Sequence, residues 1–185
     1  MLVDYSRERL INSIVYFANN VKYCGKVKLF KLLYFLDFEH FKEIGLSVTG
    51  LEYYAWQMGP VPKNLHQEID HPLGDFLEAI AIEKRPLPKG EMMLFKAKKE
   101  FSKSFFSKRQ LRIMESLVNK YRDTKAENII EDTHLENRPW HQIYVVQHRE
   151  KAHIPYELAL RNDNKEEMLQ MIKEREEAKS LWANL

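Results

Sequence analysis

The sequence predicts a mainly α (α+β) fold: a single compact helical domain with a small antiparallel β element. Two long stretches near the start repeat apolar residues at helical spacing, and the second half carries clear helix-start signals. Between them lies a segment rich in aromatic and β-branched residues, punctuated by Gly and Pro.

Leu10, Ile14, Phe17, Ala18 and Val21 predict a first amphipathic helix over 7–21, with Ser6 as its N-cap. Gly25 breaks it. A longer helix is expected from Val27 to Ile44, and Gly45 stands where a left-handed C-terminal cap belongs. Its run Leu29-Phe-Lys-Leu-Leu-Tyr-Phe-Leu36 is too apolar for one buried face, so this is the expected central helix of the core. Residues 46–62 read as extended chain or short strands with a turn at Gly59-Pro60, and Asn64 as the cap of a short helix over 65–70. Ala79–Ile82 and Met92–Lys96 are expected to pair as a hairpin across a long basic loop. Capping boxes at Ser107-Lys-Arg-Gln110, Thr124-Lys-Ala-Glu127 and Asp163-Asn-Lys-Glu166 predict helices near 108–122, 125–133 and 164–181. Pro139 suits the first position of a short helix over 139–146.

With 44% hydrophobic and 30% charged residues, the composition is that of a folded globular chain. The longest stretch free of charged side chains, Leu10 to Val21, is 12 residues. A membrane-spanning helix needs about 20 apolar residues, so no membrane segment is expected. The start lacks a basic and an apolar region, so no secretory signal is expected either. The single Cys24 excludes a disulfide framework and fits a reducing cytoplasm. Charge is uneven. Residues 84–112 hold ten basic side chains against Glu91 and Glu100, a local +8 in a chain of net +2. Such a segment meets an acidic partner or nucleic acid, or is simply a solvated Lys-rich edge. Lysine outnumbers arginine there, which disfavours base readout.

Chemistry-bearing motifs are few. The six glycines do not cluster, and there is no nucleophile elbow, phosphate loop or dinucleotide fingerprint. Cys24 near the start of the central helix is better read as inert filling than as a nucleophile. His134, Glu136, His141 and His148 are imidazole and carboxylate groups of metal-ligand type, and a metal-dependent hydrolase using His134, Glu136 and His141 is an alternative. A zinc-deaminase reading fails, because Trp140 follows Pro139 and no Cys pair is available. His134 is otherwise explained as a helix-end residue hydrogen-bonding the last carbonyls. A helix-turn-helix around Gly25 is disfavoured by the apolar density of its second helix, with Lys22, Lys26, Lys28 and Lys31 expected on the wet side of the pair. In the extended segment, Tyr54 and Trp56 point one way, Tyr53 and Ala55 the other. Trp56 is expected to close the core, with Tyr53, Tyr54 and Met58 exposed as anchors for a protein partner.

The runs Lys28-Leu-Phe-Lys31-Leu32-Leu-Tyr34-Phe-Leu-Asp37, Thr49-Gly50-Leu-Glu-Tyr53-Tyr-Ala55-Trp56-Gln-Met-Gly59-Pro60-Val61-Pro62 and Thr133-His134-Leu-Glu136-Asn-Arg-Pro139-Trp140 together resemble the Panacea, or SocA-like antitoxin, domain, whose relatives are often described as phage-associated. The resemblance spans residues 8–142. It implies a domain over 1–146, with 147–185 as an extension whose charged helix packs on it. It also implies no catalysis and no cofactor or metal. The implied role is neutralisation of a toxin by direct binding, or its delivery to a ClpXP-type protease. DNA binding by an autoregulating antitoxin is the alternative partner class. On this reading Lys31, Leu32, Tyr34, Trp56, Gly59, Pro60, His134 and Trp140 are structural. Partner binding falls to Tyr53, Tyr54, Met58, Lys96 and Lys98.

Overall fold

The computed structural model describes residues 5–86, 90–135 and 138–183. Its α-helices are α1 (Ser6–Asn20), α2 (Lys26–Ile44), α3 (Lys63–Asp70), α4 (Gly74–Ala79), α5 (Lys108–Tyr121), α6 (Ala126–His134), α7 (Pro139–His141) and α8 (Lys165–Ala183). Two antiparallel hairpins pair β1 (Tyr53–Trp56) with β2 (Gly59–Pro62), and β3 (Ile80–Pro86) with β4 (Glu91–Ala97). The mainly helical class with small antiparallel elements is therefore observed. None of the described helices is long and apolar enough to cross a membrane.

α2 is the axis of the molecule. Leu29, Leu32, Leu33 and Leu36 are wholly buried, and α1, α5, α6, β2 and β4 pack around the helix. Gly45 ends it with φ +67°, its N–H bonded to the Phe41 carbonyl. The segment after α7 closes the remaining side. There Tyr156 stacks on Phe41 with ring centroids 5.1 Å apart, and its hydroxyl donates to the Leu51 carbonyl. α8 then seats Met168 and Ile172 over Gly45 while Arg175 donates to the Ile44 carbonyl. At the other end, Arg7 reaches both Glu68 and Asp75, tying α1 to α3 and α4.

The hairpin of β3 and β4 runs in register from Ile80 opposite Ala97 to Pro86 opposite Glu91. Its inner end is held by a bridge between Gly25 and Leu94 and by the Phe95 N–H on the Cys24 carbonyl. β1 is paired on both edges. β2 lies on one side, and residues 151–154 join on the other through Lys151 N–H to Ala55 O, Ala55 N–H to Ala152 O and Ile154 N–H to Tyr53 O.

Several local expectations change. The β1–β2 turn is Gln57-Met58, two residues before the expected Gly59-Pro60, because Trp56 pairs with Gly59 and Pro60 already belongs to β2. α1 is capped by Tyr5, so Ser6 lies in its first turn. α3 begins at Lys63, which places Asn64 inside the helix. Ser107 and Gln110 do form the reciprocal capping box. Thr124 does not: its hydroxyl donates back to the Lys120 carbonyl, and α6 starts after Lys125. α4 was not foreseen, and the strand expected from Ala79 starts only after that helix ends. Pro139 opens α7 as expected, and the turn continues as a π-helix over Gln142–Val146.

Candidate functional site

The three sequence runs converge on the β1–β2 hairpin and the side of α2 beneath it. The period-2 alternation of β1 is observed, but with Tyr53 and Ala55 at 0% exposure and Tyr54 and Trp56 half-buried. Tyr53 is thus not an exposed anchor. It turns inward because its hydroxyl donates to the Asp37 carboxylate at 2.7 Å. Asp37 also accepts from the N–H groups of Val48 and Thr49, each at 2.8 Å, and from the Thr49 hydroxyl at 2.5 Å. Burial pushes this carboxyl up from its ordinary range, while the hydrogen bonds from Thr49, Tyr53 and Val48 oppose the shift. One side chain of α2 therefore fixes both the 48–49 loop and the facing of β1.

Nearly two turns earlier, Lys31 is 1% exposed and donates to the Pro60 carbonyl at 2.8 Å. Among the described residues no carboxylate lies within 4 Å of it, and burial lowers its amine to about 7. Lys28 is buried as well and donates to the carbonyls of Lys22 and Arg122. Neither lysine lies on a wet face as expected. Leucines occupy the other sides of α2, so these stems run through the core to reach backbone carbonyls. Lys22 and Lys26 are the outward pair, meeting Asp123 and Asp70.

Lys31 yields a pH prediction. An unfolded lysine titrates near 10.5, so from about pH 7 to 10.5 the unfolded chain holds more protons on this group than the folded one. Stability should then rise with pH by up to about 1.4 kcal/mol per unit. Urea melts of wild type and Lys31→Met at pH 7, 8 and 9 should diverge by this slope; parallel curves would contradict the buried, unpaired amine.

Gly59 has φ +93°, and a Cβ there would lie 2.7 Å from Thr133 Oγ1 and 2.9 Å from Lys31 Nζ. Gly59→Ala is expected to lose more than about 2 kcal/mol in denaturant melts, combining strain at positive φ with a clash against two buried groups.

Trp140 completes the cluster. It is 3% exposed and donates its indole N–H to the Trp56 carbonyl at 2.9 Å, so the tip of β1 is bolted to α7. His134 stacks on one side of the indole at 3.8 Å and Tyr144 at 4.6 Å, both within 15° of parallel. The His134 Nε2 is buried without a hydrogen-bond partner, so stacking, not the expected capping of carbonyls, holds the ring. Burial, then the nearby Lys31 charge, lowers its pKa. Tyr34 and Leu32 lie in the core, with the Tyr34 ring edge-on to Tyr53 at 5.5 Å.

What remains exposed on this face is the turn, with Gln57 and with Met58 57% accessible, and parts of Trp56 and Tyr54, the Tyr54 ring lying under the Lys63 ammonium at 5.6 Å. Lys96 and Lys98 sit on the other hairpin. Lys96 pairs with Glu83 at 2.6 Å and Lys98 donates to the Leu77 carbonyl at 2.5 Å. The +8 segment is partly compensated by carboxylates outside it: Glu43 meets Arg109 and Arg112, Glu78 meets Lys99, and Glu83 meets Lys96 and Arg85. Burial pushes the Cys24 thiol up to about 12, leaving it protonated. Among the described residues no three His, Cys, Asp or Glu side chains gather as a metal-binding group; Glu136 lies outside the described residues.

No curated protein and no solved structure matches the chain. A family model described as antitoxin SocA-like, Panacea domain, matches residues 29–141, from the second turn of α2 to the end of α7. That span is more than half of the 185 residues and contains all three sequence runs from Leu29 onward, with α1 outside it, and the chain accordingly belongs to the SocA-like antitoxin, Panacea domain family.

Proposed function

We propose that this protein is a non-catalytic antitoxin that acts in the cytoplasm by binding a toxin directly and covering its working surface. The docking face is the outer side of the β1–β2 hairpin, with Tyr54 and Met58 as contacts. Family membership supplies the partner class. The observation that carries the choice of face is the exposed Met58 on a hairpin whose other side is fixed by Asp37 and Trp140. A turn whose backbone is already fixed adds no loop-ordering cost when Met58 docks, so the cost of ordering is confined to its side chain. A stable pair would bury about 1,600 Å² in total. Lys96 and Lys98, engaged on the other hairpin, contribute at most the edge of that interface.

The test is co-expression with the toxin-like product of a flanking reading frame, scored for growth and for a complex that survives size-exclusion chromatography. Rescue with a stable complex supports masking. Rescue without one, lost when ClpXP is deleted, replaces masking by delivery to the protease. No rescue and no complex overturns the antitoxin reading.

A further inference from the structure

Beneath the proposed docking face lies a cavity of about 360 Å³, between the start of α2, the β1–β2 turn and residues 150–151. Val27, Phe30, Trp56, Met58 and Val61 supply its apolar wall, and His66 tilts against Trp56 at 5.2 Å and Phe30 at 6.0 Å. The walls are preformed. Trp56 is held through its carbonyl by Trp140, and residues 150–151 are fixed by the Lys151 N–H on Ala55 O. Lys151 keeps that place at φ +58°, a conformation that a non-glycine residue adopts only when its surroundings impose it.

The mouth carries charge of mainly one sign. Lys26 and Lys151 line it with Glu150, and Lys63 stands alongside over Tyr54. Lys26 is shared with Asp70 at 3.5 Å, whereas among the described residues neither Lys63 nor Lys151 has a carboxylate within 4 Å. An apolar recess with two unpaired ammonium groups beside it, those of Lys63 and Lys151, is complementary to an apolar side chain flanked by carboxylates.

We infer that the cavity receives an aromatic or branched apolar side chain of the toxin, bracketed in the toxin's own sequence by acidic residues that meet Lys63 and Lys151. The inference rests on the toxin-binding reading and names the chemistry of that contact. The apolar anchor supplies residence time, and the acidic flanks supply orientation and speed of encounter.

The experiment measures affinity for the purified toxin by calorimetry at low and high salt. It compares the full-length wild type with Met58→Asp, with the pair Lys63→Glu and Lys151→Glu, and with Lys103→Glu as a surface control. These side chains are exposed, so thermal melts should stay within about 2 °C of wild type. Met58→Asp and the double variant are each expected to weaken binding at least tenfold, the double variant also flattening the salt dependence, while Lys103→Glu matches wild type. Wild-type affinity in both test variants, with neutralisation intact, overturns this inference and leaves the antitoxin reading standing. A loss confined to Met58→Asp overturns the acidic flanks. A wild-type protein that does not bind the toxin overturns both.

Discussion

Asp37→Ala is expected to unfold the protein or leave it at least about 4 kcal/mol less stable. The substitution strands two backbone N–H groups and two hydroxyls that now converge on one buried carboxylate. An unsatisfied buried donor costs about 1–3 kcal/mol, and a domain of this size has about 5–15 kcal/mol in all. The hydroxyls of Thr49 and Tyr53 can rotate toward other acceptors, but the N–H groups of Val48 and Thr49 cannot. Asp37→Asn separates hydrogen bonding from charge. Its amide oxygen still serves both N–H groups, and its NH₂ donates to hydroxyls that switch to accepting. Asn should therefore stay within about 2 kcal/mol of wild type. Chemical denaturation of the three proteins decides it; an Ala variant as stable as the Asn variant would remove Asp37 from the centre of the fold.

Trp140→Ala is the second large effect, expected at about 3–5 kcal/mol. It removes the middle ring of the His134–Trp140–Tyr144 stack and the donor that holds the Trp56 carbonyl. Trp140→Phe keeps an aromatic filler and loses the indole N–H, so it should cost less, about 1–2 kcal/mol. Near-ultraviolet circular dichroism with thermal melts gives the comparison. A well-folded Trp140→Ala protein that has lost only toxin binding would make Trp140 a contact residue and contradict the structural role argued for it.

Much of the framework was legible because local rules wrote it. α1, α2 and α5 follow from helical spacing, Ser107 and Gln110 from a capping box, and Pro139 from its fit at a first helical position. The central place of α2 followed from an apolar run with no free face. The facing of β1 was different. Tyr53, Tyr54 and Trp56 put aromatic rings on both sides, and the alternation alone does not say which side is buried. The answer lies 16 residues away in the Asp37 carboxylate. The buried lysines escaped notice because charged side chains are ordinarily surface residues. The signal was present all the same: Lys28 and Lys31 sit three apart in a helix too apolar to leave a wet side. Glycine and proline at 59–60 suggested a turn, whereas Gly59 is needed for close approach to Lys31 and Thr133. The basic segment looked uncompensated because part of its compensation is distant in sequence: Glu43, 66 or more residues earlier, is shared by Arg109 and Arg112.

The central claim is that a rigid α2 platform presents the β1–β2 turn to a toxin. Hydrogen–deuterium exchange of the free protein and of its toxin complex tests this most directly. The account predicts slowed exchange at Gln57, Met58 and residues 147–151, with little change along α8 or at the outer end of the β3–β4 hairpin. Protection confined to α8 or to that hairpin, with the turn exchanging as in the free protein, would contradict it.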